Sequence, residues 1–362
     1  MTMEPRFAPK PPWLKVRAPG GDTYHGLKQT FRELDLHTVC EEARCPNVGE
    51  CWREGTATVM LLGDVCTRGC RFCAVTTGNP RGAVDSREPE HVARAIARLD
   101  LQYVVMTMVN RDDLLDGGAD HVGRTVTRLK DLRPDILIET LVGDFCGHMS
   151  SVDITVDAKP DVFAHNIETI RRLTRTVRDV RSSYEQSLLV LERAKTRAKT
   201  NENTKQLTKS SIMVGLGETD DEVVEAMRDL RGVGVDVVTI GQYLRPTPKH
   251  HEVVRFVHPD TFAMYEKEAL SMGFSYAASG PLVRSSYRAA EVFLRSLLRA
   301  EGKVDEASAE LNDATVKAEL EERLFVAKRE AARVSAAFGV PAGALDEKPN
   351  PTLVPASSLV RR

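Results

Sequence analysis

Six of the seven cysteines in this chain lie between Cys40 and Cys73, too close together to be scattered core residues. They form two triplets, Cys40, Cys45 and Cys51 in CEEARCPNVGEC, and Cys66, Cys70 and Cys73 in CTRGCRFC. Thiolates are soft ligands that suit zinc and iron–sulfur clusters. In a reducing compartment, grouped cysteines bind metal more often than they form disulfides. The pattern therefore predicts metal binding.

Each triplet is one ligand short, because a structural zinc site and a [4Fe-4S] cluster both take four protein ligands. A cluster held by three cysteines leaves one iron open, and a substrate or cofactor binds at an open coordination position. From the residues alone, the alternative for the Cys66 triplet is a structural zinc site completed by Cys146 or by a histidine.

The elements that must position these ligands follow a regular alternation. Predicted strands lie near Thr56, Tyr103, Asp135, Asp161, Ser211, Val235 and Phe274. Between them, PEHVARAIARL, DHVGRTVTRLKDL, SYEQSLLVLERAK, TDDEVVEAMRDLRGV and PDTFAMYEKEALSMG have the apolar spacing of helices. Repeated β-then-α units predict an α/β fold, a partial (β/α)6-type TIM barrel, with a doubly wound open sheet as the competing architecture. The Cys66 triplet follows the first strand, at the carboxyl-end face where barrels carry their active sites.

Composition excludes several classes of protein. The formal net charge of -2 gives no general attraction to nucleic acid or to anionic lipid. No apolar run approaches the roughly 18 residues that span a bilayer. The first residues are rich in proline and lack the apolar segment of a signal peptide, so we expect a cytoplasmic protein with no nucleic-acid or membrane partner.

The Cys66 triplet, with Phe72 before its last cysteine, resembles the signature of the radical S-adenosylmethionine (radical SAM) superfamily. In that superfamily the open iron chelates S-adenosyl-L-methionine, and the reduced cluster cleaves it to a 5′-deoxyadenosyl radical. A more specific resemblance, to the lipoyl synthase family, extends from about residue 10 to residue 295. Its blocks are TVCEEARCPNVGECW, RFCAVTTGNPRG, NRDDLLDGGADH, VGDFCGH, DVFAHNIET, IMVGLGET, TIGQYLRPT and SGPLVRSSYRA.

The resemblance also implies a second, auxiliary [4Fe-4S] cluster, held by Cys40, Cys45, Cys51 and the second serine of an RSSY motif. RSSY occurs twice in this chain, at 181–184 and at 284–287. In the first copy, Ser182 is followed three residues later by Glu185 and then by an apolar helical pattern, which predicts a helix capping box.

The second RSSY copy follows the last predicted strand without a capping pattern, so Ser286 is the predicted metal ligand and catalytic residue. Oxygen is a poor ligand for a soft-ligand cluster, and the iron that it holds is the easiest to lose. Lability suits a cluster that is consumed as the sulfur source.

The lipoyl synthase resemblance implies insertion of two sulfur atoms, at C6 and C8, into an octanoyl chain amide-linked to a lysine of a carrier. The implied partners are an octanoylated lipoyl carrier protein or lipoyl domain, an electron donor of flavodoxin or ferredoxin type, and a cluster-repair protein. Other radical enzymes, such as a methylthiotransferase or a biotin-type sulfur inserter, share the Cys66 triplet but should lack CEEARCPNVGEC and the terminal RSSY.

The family blocks at the carboxyl ends of strands suggest contacts to S-adenosyl-L-methionine. The predicted contact residues are Thr107, Glu139, Asn166, Glu168 and Arg178. Arg178 could pair with a carboxylate. We expect His165 to be a pocket or core residue, Cys146 to be a small buried hydrophobe, and His250, His251 and His258 to be solvated.

The predicted organisation has four parts. Residues 1–55 form an N-terminal arm with the auxiliary-cluster cysteines, and residues 56–284 form the radical SAM partial barrel. Residues 285–300 carry the serine motif and a following helix. Residues 301–362, rich in Ala, Glu, Lys and Arg and then in Pro, form a helical and then disordered tail.

Overall fold

The structure is a computed structural model that describes residues 10–15, 29, 38, 47–48, 51, 56–99, 101–201, 205–286 and 289. Its strands are β1 Thr56–Leu61, β2 Val65–Cys66, β3 Thr76–Thr77, β4 Tyr103–Met108, β5 Leu137–Leu141, β6 Val162–Ala164, β7 Leu207–Val214, β8 Val237–Gln242 and β9 Tyr276–Gly280. All except β2 and β3 form one seven-stranded parallel sheet in chain order, with β1 and β9 as its edges.

Helices connect each consecutive pair of strands in the main sheet. They are α1 Glu88–Ala97, α2 Ala119–Leu132, α3 Met149–Asp157, α4 Thr174–Val177, α5 Tyr184–Thr200, α6 Asp220–Gly232 and α7 Pro259–Ser271. Three 3-10 turns complete the described elements, at Pro12–Leu14, Phe145–Gly147 and Arg171–Leu173. This arrangement confirms the predicted α/β fold of partial-barrel type, because sequential parallel strands with intervening helices curl as in a TIM barrel.

All seven predicted strands and all five predicted crossover helices are present, but α3 and the four-residue α4 were not predicted. The sequence of α3, MSSVDITVD, is rich in β-branched residues, which lowers its intrinsic helix propensity. Val152 and Val156 are fully buried in the core between the sheet and the helices. Packing therefore imposes a helix that the local sequence does not favour.

The first RSSY copy begins α5, as predicted, but the capping residue is one position later than expected. Ser183 is the N-cap, and its hydroxyl accepts a hydrogen bond from the Gln186 N–H. Ser182 instead is buried and accepts from the Arg68 guanidinium. The predicted helix around HGLKQTFREL and the tail over residues 301–362 lie outside the described residues, apart from Gln29, which is helical.

The barrel interior contains a buried ion pair. Lys209 donates to both carboxylate oxygens of Glu139, at 2.8 and 3.0 Å, and the Tyr103 hydroxyl donates to the same carboxylate at 2.9 Å. Tyr103 is the first residue of β4, so this network lies toward the amino ends of the strands.

In the part of the chain that the structure describes, no helix is both long enough and apolar enough to cross a membrane.

Candidate metal and cofactor site

The Cys66 triplet lies on a loop that is closed at its base by a small parallel sheet. Cys66 ends β2 and is in register with Thr77 of β3, and the Gly78 N–H donates to the Cys66 carbonyl at 2.9 Å. The Cys73 N–H donates to the Cys70 carbonyl within the loop. This segment, Cys66–Cys73, is called the cysteine loop below. Backbone hydrogen bonds thus hold Cys66 beside the strand that follows the loop, and Cys73 beside Cys70.

Each thiol of the cysteine loop accepts a backbone N–H. Arg68 donates to Cys66 Sγ at 3.4 Å, Asp179 donates to Cys70 Sγ at 3.3 Å, and Val75 donates to Cys73. Hydrogen bonds to the ligand sulfurs are one of the levers by which proteins tune iron–sulfur clusters. Three partly exposed thiols with one N–H donor each fit a [4Fe-4S] cluster with one open iron.

Without a metal, the thiols of Cys70 and Cys73 stay protonated at neutral pH. Burial raises the pKa of Cys70 to about 11 and that of Cys73 to about 12, although the N–H donors act in the opposite direction. A coordinated thiol loses its proton to the metal's charge. Cluster binding must therefore release protons, and it becomes tighter as pH rises.

Cys146 is exposed, so the expectation that it is a buried hydrophobe is wrong. Its thiol donates to Asp112 Oδ1 at 3.0 Å, and its backbone has a positive φ of 54° in a 3-10 turn. Among the described residues, no three His, Cys, Asp or Glu side chains converge as ligands of a single metal ion. The zinc alternative, with Cys146 as the fourth ligand, gains no support from this geometry.

Loops that follow β4 and β5 hold the cysteine loop through Arg68. The Arg68 guanidinium donates to both oxygens of Asp112 and, at 2.7 Å, to Asp144. Its side chain is only 1% exposed. Although burial acts to raise the pKa of Asp144, the Arg68 hydrogen bond holds that pKa below its usual value.

The segment between α4 and α5 contacts the cysteine loop along its length. The Asp179 carboxylate accepts from the Gly69 N–H at 2.8 Å, and Arg181 donates to the Thr67 carbonyl at 2.6 Å. The Arg71 N–H donates to the Val177 carbonyl at 2.8 Å. These residues follow strand β6. In the sequence, only their position after a predicted strand could have identified them as contacts of the cysteine loop.

The loop after β8 also contacts the cysteine loop, which corrects the expectation that His250 and His251 are solvated, whereas that expectation holds for His258. His250 Nε2–H donates to the Cys73 carbonyl at 2.9 Å, and the His251 N–H donates to the Arg71 carbonyl at 2.7 Å. His258 is exposed and caps α7, where its ring accepts from the Asp260 N–H. The first two histidines therefore support the metal site without acting as ligands in this geometry.

Three of the predicted cofactor contacts lie together near Cys70. Asn166 donates to Glu168 Oε1 at 3.2 Å, and its own buried Oδ1 atom has no hydrogen-bond partner. Burial raises the pKa of Glu168, against the opposing charge of Arg178. The Arg178 guanidinium, 7% exposed, donates to Ser187 and acts electrostatically on Cys70. A buried polar atom without a partner marks a place where a ligand donor is missing.

The other two predicted contacts are already engaged. Glu139 is fully buried and binds Lys209 and Tyr103 on the amino-end side of the barrel. Thr107, in β4, donates to the Leu141 carbonyl at 2.9 Å. The role of both residues in cofactor binding stays a prediction. To contact the cofactor, Glu139 would have to give up its hydrogen bond to Lys209 or to Tyr103.

His165 is a core histidine, the second of its two predicted roles. Its Nδ1–H donates to the Val142 carbonyl at 2.8 Å, and its Nε2 lies 2.9 Å from Ser187 Oγ. Burial lowers the pKa of His165 to about 4, so the ring is neutral at neutral pH. Ser187 links it to Arg178, which donates to the same hydroxyl at 2.8 Å.

The described part of the proposed auxiliary site lies between the N-terminal segment and the chain after β9. Cys51 is buried, and its N–H donates to the Asn47 carbonyl at 3.0 Å. The Asn47 side chain donates to the Leu282 carbonyl at 2.6 Å, four residues before Ser286. Ser286 is partly exposed in the turn that follows. Cys40 and Cys45 lie outside the described residues.

A glycine in β8 permits the chain before Ser286 to approach the barrel. A Cβ at Gly241 would lie 2.0 Å from the Val283 carbonyl oxygen, which is far inside contact distance. Ala289, beyond the serine motif, is 1% exposed and packs with Tyr103 and Val105 in the barrel interior. The chain on both sides of Ser286 therefore contacts the barrel.

Comparisons with known proteins agree with this geometry. The model of the Radical SAM superfamily matches residues 60–230, which span the cysteine loop and the sheet through β7. The fold and this match define the class of protein as radical SAM. The model of the N-terminal domain of lipoyl synthase of the Radical SAM family matches residues 5–45.

Curated relatives narrow the class to one family. The chain is 70% identical to lipoyl synthase of Sorangium cellulosum (strain So ce56), over 99% of this chain and 100% of the relative. It is 55% identical to lipoyl synthase of Thermus thermophilus, over 82% of this chain and 90% of the relative, and 54% identical to the mitochondrial lipoyl synthase of Candida albicans (strain SC5314), over 80% and 75%. The chain belongs to the lipoyl synthase family, whose enzymes use S-adenosyl-L-methionine and [4Fe-4S] clusters.

Proposed function

We propose that this chain inserts two sulfur atoms, at C6 and C8, into an octanoyl chain amide-linked to a lysine of a carrier protein or lipoyl domain. When bound, the first cluster would pass on electrons from an external donor, S-adenosyl-L-methionine would supply the carbon radicals, and the auxiliary cluster would supply the sulfur. Two molecules of S-adenosyl-L-methionine would be consumed, and each would give methionine and one 5′-deoxyadenosine that carries a hydrogen atom from C6 or C8. Full-length similarity to lipoyl synthases supports this reaction.

In this proposal, Cys66, Cys70 and Cys73 hold the first cluster. Asn166, Glu168 and Arg178 bind the charged end of S-adenosyl-L-methionine, with Arg178 facing a carboxylate. Hydrogen-atom removal from an unactivated C–H bond develops little charge, so the chain needs no acid–base pair at the reacting carbon. The barrel's task is to exclude water and to hold the reacting atoms close together.

Cys40, Cys45, Cys51 and Ser286 hold the auxiliary cluster in this proposal. The single observation that carries the assignment is the hydrogen bond from the Asn47 side chain to the Leu282 carbonyl. Asn47 lies between two cysteines of the first triplet, and Leu282 lies just before the serine motif. The bond brings together two segments that are 235 residues apart in sequence.

Three further parts of the proposal rest on the chemistry rather than on a contact. An electron donor of flavodoxin or ferredoxin type supplies the electrons that reduce the first cluster. A cluster-repair protein rebuilds the auxiliary cluster after its sulfur is spent. The reaction takes place in the cytoplasm, because thiol ligands persist in a reducing compartment.

The test is mass spectrometry of an octanoyl-lysine carrier peptide incubated with anaerobically purified protein, a reductant and S-adenosyl-L-methionine. We expect a product with two added sulfur atoms, and about eight iron atoms and eight acid-labile sulfides per chain. A colourless protein that contains one or two zinc atoms, with no sulfur added to the peptide, would contradict the proposal.

The ligand role of Ser286 has a matched control in its neighbour. Ser286→Ala should abolish sulfur insertion but leave 5′-deoxyadenosine formation, whereas Ser285→Ala should leave both reactions close to wild type. Undiminished lipoyl formation by Ser286→Ala rules out this serine as a ligand.

A further inference from the structure

The most extensively bonded side chain beside the first cluster site is Arg68, which lies between Cys66 and Cys70. Its side chain is 1% exposed, and its backbone N–H donates to Cys66 Sγ at 3.4 Å. Its carbonyl accepts from Thr77 Oγ1 at 3.2 Å, at the closed base of the loop. The same residue therefore touches a ligand sulfur, the base of the loop and, through its guanidinium, the surrounding barrel.

The guanidinium bonds reach residues that follow three different strands. Asp112 lies after β4, Asp144 lies after β5, and Ser182 lies after β6, just before α5. Arg68 Nε lies 3.0 Å from Asp112 Oδ2, and Nη1 lies 2.7 Å from Asp144 Oδ2 and 3.0 Å from Ser182 Oγ. No other side chain in the cysteine loop, among the hydrogen bonds of the described residues, joins three such loops.

We propose that Arg68 is a positioning residue for the first cluster: it locks the cysteine loop to the loops after β4, β5 and β6 and so fixes where the thiols stand. This inference rests on the ligand assignment in the proposed function. A planar guanidinium has five donors in a fixed fork, whereas a lysine ammonium presents its donors from one point. Lysine therefore keeps the charge but does not satisfy all three partners.

The network around Arg68 includes a second arginine. Arg181 lies 3.0 Å from Asp112 Oδ2 and also pairs with Asp179 at 2.8 Å, so two arginines face three aspartates. A variant that keeps the charge at residue 68 isolates the effect of geometry, which makes Arg68→Lys the informative substitution.

Arg111 is a matched control. It is also an arginine, is 2% exposed, and is paired to Asp113 at 2.8 Å, but its other bonds run to the Leu62 and Ala83 carbonyls rather than to the cysteine loop. Arg111→Lys should cost the fold a similar amount as Arg68→Lys. A difference between the two variants in cluster behaviour therefore does not arise from general loss of stability.

The experiment uses the full chain with Cys40, Cys45 and Cys51 changed to alanine, so that only the first cluster is present. The rate of iron release to a chelator and the EPR spectrum of the reduced cluster, with and without S-adenosyl-L-methionine, are measured for this parent, Arg68→Lys and Arg111→Lys. We expect Arg68→Lys to release iron about tenfold faster and to lose the spectral change caused by S-adenosyl-L-methionine, because hydrogen bonds to a charged group are lost. Arg111→Lys should match the parent in both measurements.

Parental iron release and an unchanged spectrum in Arg68→Lys overturn the inference, as does an equal effect in Arg111→Lys. If Arg68→Lys does not fold, Ser182→Ala removes one partner without leaving a buried charge. It should speed iron release in the same direction by a smaller factor, and an unchanged rate overturns the inference. A parent that binds no cluster at all would instead refute the ligand assignment, so the two failures are distinguishable.

Discussion

The two cysteine-bearing regions are held in different ways. In the cysteine loop, every thiol accepts a backbone N–H, and contacts come from the loops after β4, β5, β6 and β8. The described part of the second region is fastened through the Asn47–Leu282 hydrogen bond and the close approach of Val283 to Gly241. In the proposed function, the first cluster is reused in every turnover, so it benefits from thiols that are held rigidly. The auxiliary cluster is dismantled in each turnover, so it benefits from ligands that can release it.

The largest effect is expected from removing a ligand of the fixed site. Cys73→Ala should abolish both 5′-deoxyadenosine formation and sulfur insertion, because the first cluster loses one of its three thiols. Iron should fall from about eight to about four atoms per chain, with the auxiliary cluster retained. Iron analysis and product chromatography check this, and continued formation of 5′-deoxyadenosine would falsify the assignment of the two sites.

The next effect is expected at the close approach in β8. Gly241→Ala places a Cβ against the Val283 carbonyl, so the chain that carries Ser286 must shift. Overpacking of this kind costs about 1–3 kcal/mol, and we expect lipoyl formation to fall about tenfold or more. The measurement is the ratio of lipoyl product to 5′-deoxyadenosine, since the first cluster should still cleave S-adenosyl-L-methionine.

Gly232 provides the control for Gly241. It lies at the end of α6, and a Cβ there would meet no atom within 4 Å. Gly232→Ala should leave the product ratio unchanged. An unchanged ratio in Gly241→Ala as well would show that the turn before Ser286 does not need this contact.

A smaller effect is expected from Asn47→Ala. The substitution leaves the Leu282 carbonyl without its donor, which costs about 1 kcal/mol or more, and the auxiliary cluster should lose iron to a chelator about fivefold faster. Gln206→Ala is the matched control, because Gln206 is also buried and donates to a main-chain carbonyl, that of Pro160, at 2.8 Å. Equal iron loss in both variants would assign the effect to general stability.

The smallest effect is expected away from both regions, at the capping box of α6. Thr219 and Glu222 exchange side-chain and backbone hydrogen bonds at the start of this helix. Thr219→Ala should lower the free energy of unfolding by about 1 kcal/mol. Denaturant unfolding measures that change, and the iron content and product ratio should stay at wild-type values.

Sequence reasoning found the strands and most helices because their apolar periods are strong and regular. It predicts the cysteines as metal ligands because thiols at short, fixed spacing have few other uses. It missed α3, where packing overrides weak propensity, and it missed the supports of the cysteine loop. Asp179 is an ordinary charged residue in the sequence, and only the folded chain brings its N–H to Cys70. Arg68 lies within the cysteine motif, but its bonds to Asp112, Asp144 and Ser182 form only in the folded chain.

The histidines of the loop after β8 are a second case in which the sequence did not reveal contacts with the cysteine loop. His250 and His251 lie in a polar stretch, so solvation was the reasonable expectation, yet the return of the chain after β8 places them against Cys73 and Arg71. Loops after different strands meet only when the sheet curls. The rule that barrel sites collect at the carboxyl ends predicts the face but not the partners.

The burial of Ala289 determines how this protein can be shortened. Residues on both sides of Ser286 cover the inside of the sheet, with Val283 against β8 and Ala289 beside Tyr103. Cutting the chain ahead of the serine motif would strip part of the barrel's own lining along with the hydroxyl. Truncation cannot separate loss of the Ser286 hydroxyl from loss of folding, and only point substitutions can.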